Sequence, residues 1–319
     1  VDGAGNNTAV GYQSMLSSGT AGNNTSENNT AVGYQSLYSI TTGDTNVALG
    51  GRAGYSLTTS TGNVAVGQGA LDLATTQADF NIAIGQDAIN GNWTTADVND
   101  LVGIGRNALS GVLTNTANGT IAIGYQALTA LTSGAGNVAV GYESGKMMTT
   151  GAGNTSLGYD ALKNVVSGSG NVAIGHEAAE GFENGETGNI AIGFEAMALA
   201  DEGSGSGNEI DNNIGIGYQA LTMGDFGSTG SRVAKRNIAI GSYALNSTGT
   251  NSQTGAIAIG YEALTALTSG VQNTAVGYEG AKGITTGSYN VVMGYASLDA
   301  ADGGESNNIS IGTNAMGSI

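Results

Sequence analysis

Gly188-Asn189-Ile190-Ala191-Ile192-Gly193 is the stretch on which the fold turns. Gly62-Asn63-Val64-Ala65-Val66-Gly67 repeats it, and variants of its last five residues occur 17 times in the 319-residue chain. The closing glycines are Gly11, Gly33, Gly50, Gly67, Gly85, Gly105, Gly124, Gly141, Gly158, Gly175, Gly193, Gly217, Gly241, Gly260, Gly277, Gly294 and Gly312. Their commonest spacing is 17 residues, and longer spacings come from residues added between copies, never inside one. A fixed period of this kind marks a stacked repeat architecture. Ala127 to Gly134 recurs letter for letter as Ala263 to Gly270, which is duplication of a block of several units.

Each column of the repeat has a physical reading. Three residues before the glycine every copy carries Val, Ile or Thr, and one before it every copy carries a large aliphatic residue. A small residue lies between them in every copy except that of Val292. Large–small alternation among β-branched residues is a strand. Helix is rejected, because glycine at a fixed slot would cost about 1 kcal/mol per copy. Four residues after the glycine most copies carry a large apolar residue, as at Leu37, Leu128 and Leu264, so the chain must turn before it. Segments such as Thr41-Thr42-Gly43 then supply turn chemistry.

The reading is an all-β chain, a parallel β-solenoid of about 17 coils with a 17-residue unit. Each coil is expected to hold a strand, a turn, a shorter second strand and another turn, and stacking supplies what one coil cannot bury alone. Residues 1–319 are read as one repetitive domain with longer loops around 90–100, 198–212 and 222–236. Coils about 4.8 Å apart would make a rod about 80 Å long. The expected core is the column before the glycine, with Val32, Val66, Ile84, Ile123, Ile192, Ile240 and Ile259, joined by Leu128 and Leu264. The alternating Ala/Gly face is smooth, permits close approach of another sheet, and is read as the surface that packs copies of the chain into a homotrimer, with a thin solvent-facing side as the plainer alternative.

Four residues before the glycine stands Asn in 14 of the 17 copies, the exceptions being Leu101, Thr120 and Ala256. Stacking would align Asn29, Asn46, Asn63, Asn81, Asn137, Asn154, Asn171 and Asn189 in amide ladders. A plain turn preference is the simpler alternative, since Asn tolerates the left-handed corner of a coil.

Composition removes several function classes. The chain has 56 glycines, no proline and no cysteine, so neither collagen nor a disulfide framework fits. Eight basic residues against 25 acidic ones give a formal net charge of −17, the wrong sign for a phosphate-binding surface. Hydrophobic residues reach 40%, too many for an acidic disordered tail, while no apolar run is long enough to span a membrane. The opening residues do not read as a signal peptide, and a first residue of Val suggests a processed or partial chain.

The repeats resemble the head of trimeric autotransporter adhesins, whose Asn-Ser-Val-Ala-Ile-Gly motif is matched at Gly62–Gly67 and Gly188–Gly193. They look still more like the repeats of phage tail fibres and of surface proteins ending in an endosialidase-type chaperone, as in Asn28-Asn29-Thr30-Ala31-Val32-Gly33-Tyr34-Gln35-Ser36-Leu37. The resemblance covers the whole chain. It implies a left-handed β-roll, a homotrimer and an adhesive or spacer role outside the cell. The departures are a 17-residue unit, longer than the adhesins' head repeat, and the lack of a coiled-coil stalk, anchor or chaperone segment.

Candidate chemistry is sparse. His176, the only histidine, occupies a slot filled by tyrosine in other copies and reads as a repeat variant. Glu143, Asp160, Glu177 and Glu195 share the slot two after the glycine in four consecutive copies. Stacking would bring like charges together, so they are either a solvated edge or a site for cations such as Ca2+. Trp93, Phe226, Arg232, Lys235 and Arg236 lie in insertions, where solenoids often bind ligands. An exposed indole would suit a sugar, although Trp93 could simply cover its own coil.

The expectation is a non-enzymatic structural and adhesive fibre segment without a cofactor, extracellular, in a virion fibre or on a cell surface. A host or cell-surface glycan or protein is the expected receptor, with no nucleic acid and no membrane insertion. The alternatives are a bacterial adhesin head, an ice- or mineral-binding solenoid and a polysaccharide-degrading fibre.

Overall fold

The computed structural model describes residues 5–17, 24–73, 78–91, 93, 97–114, 117–200, 209–223, 232–247, 251–299 and 303–317. The protein is all-β, a parallel β-solenoid, with no α-helix among the described residues. Contacts divide it into two compact units, Val1–Asn154 and Thr155–Ile319.

The first unit holds β1 (Thr8–Val10), β2 (Thr30–Val32), β3 (Val47–Leu49), β4 (Val64–Val66), β5 (Ile82–Ile84), β6 (Val102–Ile104), β7 (Ile121–Ile123) and β8 (Val138–Val140). Each pairs in parallel with the next, in a register that sets equivalent positions side by side, as in Thr30↔Val47, Ala31↔Ala48 and Val32↔Leu49. The second unit begins with β9 (Thr155–Leu157), β10 (Val172–Ile174), β11 (Ile190–Ile192), β12 (Glu209–Asp211), β13 (Ile214–Ile216) and β14 (Val233–Lys235). It continues with β15 (Ile238–Ile240), β16 (Gln253–Thr254), β17 (Ile257–Ile259), β18 (Thr274–Val276), β19 (Val291–Met293) and β20 (Ile309–Ile311). Its main parallel ladder runs β9-β10-β11-β13-β15-β17-β18-β19-β20, while β12, β14 and β16 form a separate short sheet.

Among the described residues the second strand expected in every coil is therefore confined to a few. Most coils turn instead through alternating handedness. The residues two and four after the glycine have positive φ, for example 54° at Gln35 and 45° at Leu37. Such a conformation costs a non-glycine residue about 1–2 kcal/mol. It is offset because the alternation aims successive N–H groups at opposite neighbours. Gln35 N–H donates to the Tyr12 carbonyl of the preceding coil, and Leu37 N–H to the Ala53 carbonyl of the following one.

This geometry also decides which side chains face inward, and it reverses one expectation. The small residue at the centre of each strand is buried, as at Ala31, Ala48, Ala122, Ala191 and Ala258. Val32, Val66, Ile84, Ile123, Ile192, Ile240 and Ile259, expected in the core, point outward and are half-buried or exposed. Room beneath the turn is scarce, and Val292 is the one larger residue buried in this slot. A Cβ added at Gly103 in the central slot would lie 2.4 Å from the Ile89 side chain. Leu128 and Leu264 are fully buried, and the column four after the glycine is buried in every copy but the last, where Met316 is half-buried. A further core column, seven after the glycine, contains Ile40, Leu57, Leu131, Met148, Phe182, Leu267 and Ile284. The Ala face thus lines the coil interior and is not a surface for another chain.

The asparagines form ladders within each unit. Asn46 donates from its backbone N (2.8 Å) and its Nδ2 (3.0 Å) to Asn29 Oδ1, and its Nδ2 also donates to the Ser60 carbonyl at 2.8 Å. Asn63 repeats this on Asn46, and Asn81 takes Asn63 Oδ1 through its backbone N–H. The same pattern joins Asn154 to Asn137, and Asn171 to Asn189, Asn213 and Asn237. These amides are buried with donors and acceptors engaged, which is what makes a buried polar column tolerable.

Candidate functional site

Turning the aliphatic column outward creates the most conspicuous surface of each unit. Side chains three before and one before each glycine alternate with the buried Ala and so share one face. Leu157 and Met293 are 46% and 49% exposed, and Ile309 is 72% exposed. The column one after the glycine adjoins this face and carries aromatic rings.

In the second unit those rings form a continuous ladder. Tyr159, His176, Phe194 and Tyr218 stack with centroids 5.0, 5.1 and 5.3 Å apart and planes within 10° of parallel. Tyr243, from the next slot along, continues edge-on at 5.2 Å and 6.1 Å, and Tyr261, Tyr278 and Tyr295 resume stacking at 5.0 and 5.4 Å. His176 is thus one rung, with Nδ1 3.6 Å from Glu177. The first unit has shorter pieces, Tyr12 on Tyr34 and Tyr125 on Tyr142, with the Arg106 guanidinium 4.6 Å over Tyr125. Ring faces spent on one another leave edges outward, whereas a sugar platform needs a free face. The signal for this ladder was present in the sequence as the tyrosine column.

The acidic column lies at the left-handed corner, with φ between 51° and 55° at Glu143, Asp160, Glu177 and Glu195. Lysines meet part of it. Lys146 Nζ is 3.0 Å from Glu143, and Lys163 Nζ is 2.7 Å from Asp160 and 3.9 Å from Glu180. Glu195 instead accepts a hydrogen bond from Gln219 Nε2. Among the described residues no group of three or more His, Asp or Glu side chains is placed to hold a metal ion, so these four do not converge on a Ca2+ site. Burial and the neighbouring Glu177 raise the pKa of Glu180 above the usual carboxylate value.

The candidate ligand residues of the insertions do not converge either. Trp93 is 1% exposed, so its indole covers its own coil and offers no stacking surface. A Cβ at Gly91 would lie 2.8 Å from its Nε1 and 1.7 Å from the Gly111 carbonyl, which explains the glycine beside it. Phe226 lies outside the described residues, as do residues 201–208 and the rest of 224–231. Glu209–Asp211 and Val233–Lys235, expected in loops, are the strands β12 and β14. Their pairing seats Lys235 Nζ 2.5 Å from Glu209 and 3.2 Å from Asp211, and Glu209 in particular raises its pKa. That commits Lys235, one of the expected ligand residues, to partners within the chain. Arg232 is half-buried and Arg236 exposed.

No protein-family model, curated protein or solved structure matches this chain. No helix among the described residues is long and apolar enough to cross a membrane.

Proposed function

We propose that this protein is a structural, adhesive fibre segment. In this reading its 17 left-handed coils assemble side by side with two further copies, outside the cell, in a virion fibre or on a cell surface. The observation that supports it is the outward Val/Ile face with its flanking aromatic ladder. Monomers rarely expose a contiguous apolar patch above a few hundred Å², and this one recurs coil after coil in each unit. A second and third copy of the same face are self-complementary covers for it in a closed, symmetric assembly. The repeats' resemblance to trimeric fibres and adhesin heads favours three copies over two. A glycan or protein receptor on the target surface would be met by residues outside the repeated columns.

Sedimentation equilibrium tests the assembly. Wild type is expected as a trimer at micromolar concentration. Ile192→Asp, on the outward face, is expected to shift it toward monomer while circular dichroism stays that of a β-solenoid. Monomeric wild type, or an Ile192→Asp variant that unfolds with no soluble monomer, would count against the face as an interface.

A further inference from the structure

Because its coils are copies, the chain supplies an internal comparison for the acidic corner. Lys282, five residues after Gly277, ion-pairs with both Glu262 and Glu279, which stand two after Gly260 and Gly277. One ammonium is therefore clamped between the corner carboxylates of two adjacent coils; Glu262 and then Glu279 raise its pKa, and it lowers that of Glu262. Glu177 and Glu195 occupy the same two corners after Gly175 and Gly193. The slot five after Gly193, where the lysine would stand, is Ala198, and the one five after Gly175 is Glu180.

A groove of about 300 Å³ lies there, lined by Glu177, Glu180, Glu195, Ala198, Gln219 and Thr222. Leu199, 66% exposed, forms its apolar wall. Among the described residues the cations facing it are few. Lys163 reaches only to 3.9 Å from Glu180, and His176 Nδ1 stands 3.6 Å from Glu177. Three carboxylates, the amides of Gln219 and Asn246 and the Thr222 hydroxyl thus surround a space in which the equivalent corner holds a lysine head and stem, with Gln219 Nε2 donating to one oxygen of Glu195.

We propose that this groove binds a primary alkylammonium group from outside the chain. The head takes the place between Glu177 and Glu195 that Lys282 takes between Glu262 and Glu279. The methylene stem lies over Ala198 against Leu199. An ammonium has three donors and a compact charge, which suits carboxylates on adjacent coils. Ca2+ requires six to eight oxygens converging on one point, and among the described residues no three acidic side chains are placed to converge in that way. A free diamine and a lysine side chain on another protein share this chemistry.

The full chain is titrated by NMR with 1,5-diaminopentane in one arm and acetyl-Ala-Lys-Ala-amide in the other. Binding in both arms supports the proposal, and binding in one assigns the source. Glu195→Gln is expected to weaken binding about tenfold, the size of one lost charge-assisted hydrogen bond. Ala198→Lys is expected to abolish it by filling the site from within. Peptide carrying trimethyl-lysine keeps the charge, loses the donors and should bind more weakly. No binding in either arm overturns the proposal, as does binding that both variants leave unchanged, or saturation by CaCl2 alone without amine binding. Should Ala198→Lys not fold, Glu195→Gln decides. The readout does not depend on oligomeric state, so failure here and failure of the assembly model are separable.

Discussion

At the residue scale, the repeated glycine is fixed by backbone geometry and by its neighbour above. Gly193 has φ +135°, and a Cβ there would stand 2.4 Å from the Gly217 carbonyl oxygen. The obstacle is backbone in register, so it cannot swing aside. Gly193→Ala is expected to cost more than about 2 kcal/mol, as strained left-handed positions and overpacking do, which urea denaturation followed by circular dichroism will read. Glu180 shows a milder conflict. Its folded pKa lies above the ordinary 4.5 because of burial first and Glu177 second. The native state therefore holds the proton more tightly than the unfolded chain, and stability falls as pH rises from 4.5 through the raised value. Glu180→Gln removes that loss. The variant should exceed wild type by no more than about 0.5 kcal/mol at pH 7, given solvent screening, and the advantage should vanish below pH 4.5. An equal gain at pH 4 and pH 7 would show that ionisation is not its source.

At the element scale, the coil is a strand whose outward side chains are large and whose inward side chain is small, followed by a turn that supplies the bulk of the core. Leu221 is fully buried and Ile240 is 37% exposed, although both are large aliphatic residues in nearly invariant columns. Leu221→Ala should cost about 2–5 kcal/mol through transfer and cavity terms. Ile240→Ala, measured in a monomeric background, should cost under about 1 kcal/mol. Comparable losses would return the Val/Ile column to the interior. The period, the strand positions and the Asn column were legible in the sequence because each rests on a short-range pattern that a reader can count. The side of the strand facing inward was not. Alternation says that Ile190 and Ile192 share a face opposite Ala191, and it is equally satisfied with either face inward. What settles it is the handed turn at residues such as Gln219 and Leu221, with φ of 48° and 55°. Non-glycine residues in that conformation carry no composition signal. The column of Ile40, Leu57 and Leu131 was hidden for a related reason, since it sits in turn-like Thr- and Ser-rich sequence. For Trp93 the sequence left two readings open, and the buried ring beside Gly91 is the one that covers its own coil.

At the scale of the whole molecule, two opposing terms meet in one chain. The outward Val/Ile face favours association, while a formal charge of −17 on every copy opposes it. Many of the basic residues are already committed within the chain, with Arg52 on Asp72, Lys163 on Asp160, Lys235 on Glu209 and Asp211, and Lys282 on Glu262 and Glu279. Few cations are left to draw a second copy in, so the proposed association has to be carried by apolar area against charge repulsion. Salt separates that case from an interface held by ion pairs. Screening shortens the reach of like-charge repulsion from about 30 Å at 0.01 M to about 3 Å at 1 M, and it leaves apolar burial intact. Raising NaCl across that range should therefore tighten assembly, with the midpoint of the sedimentation-derived association curve moving to lower protein concentration. Ile192→Asp should lose most of this gain, because the apolar contribution that salt uncovers would be gone. Weaker assembly of the wild type at high salt would assign the contact to ion pairs and remove the Val/Ile face from it.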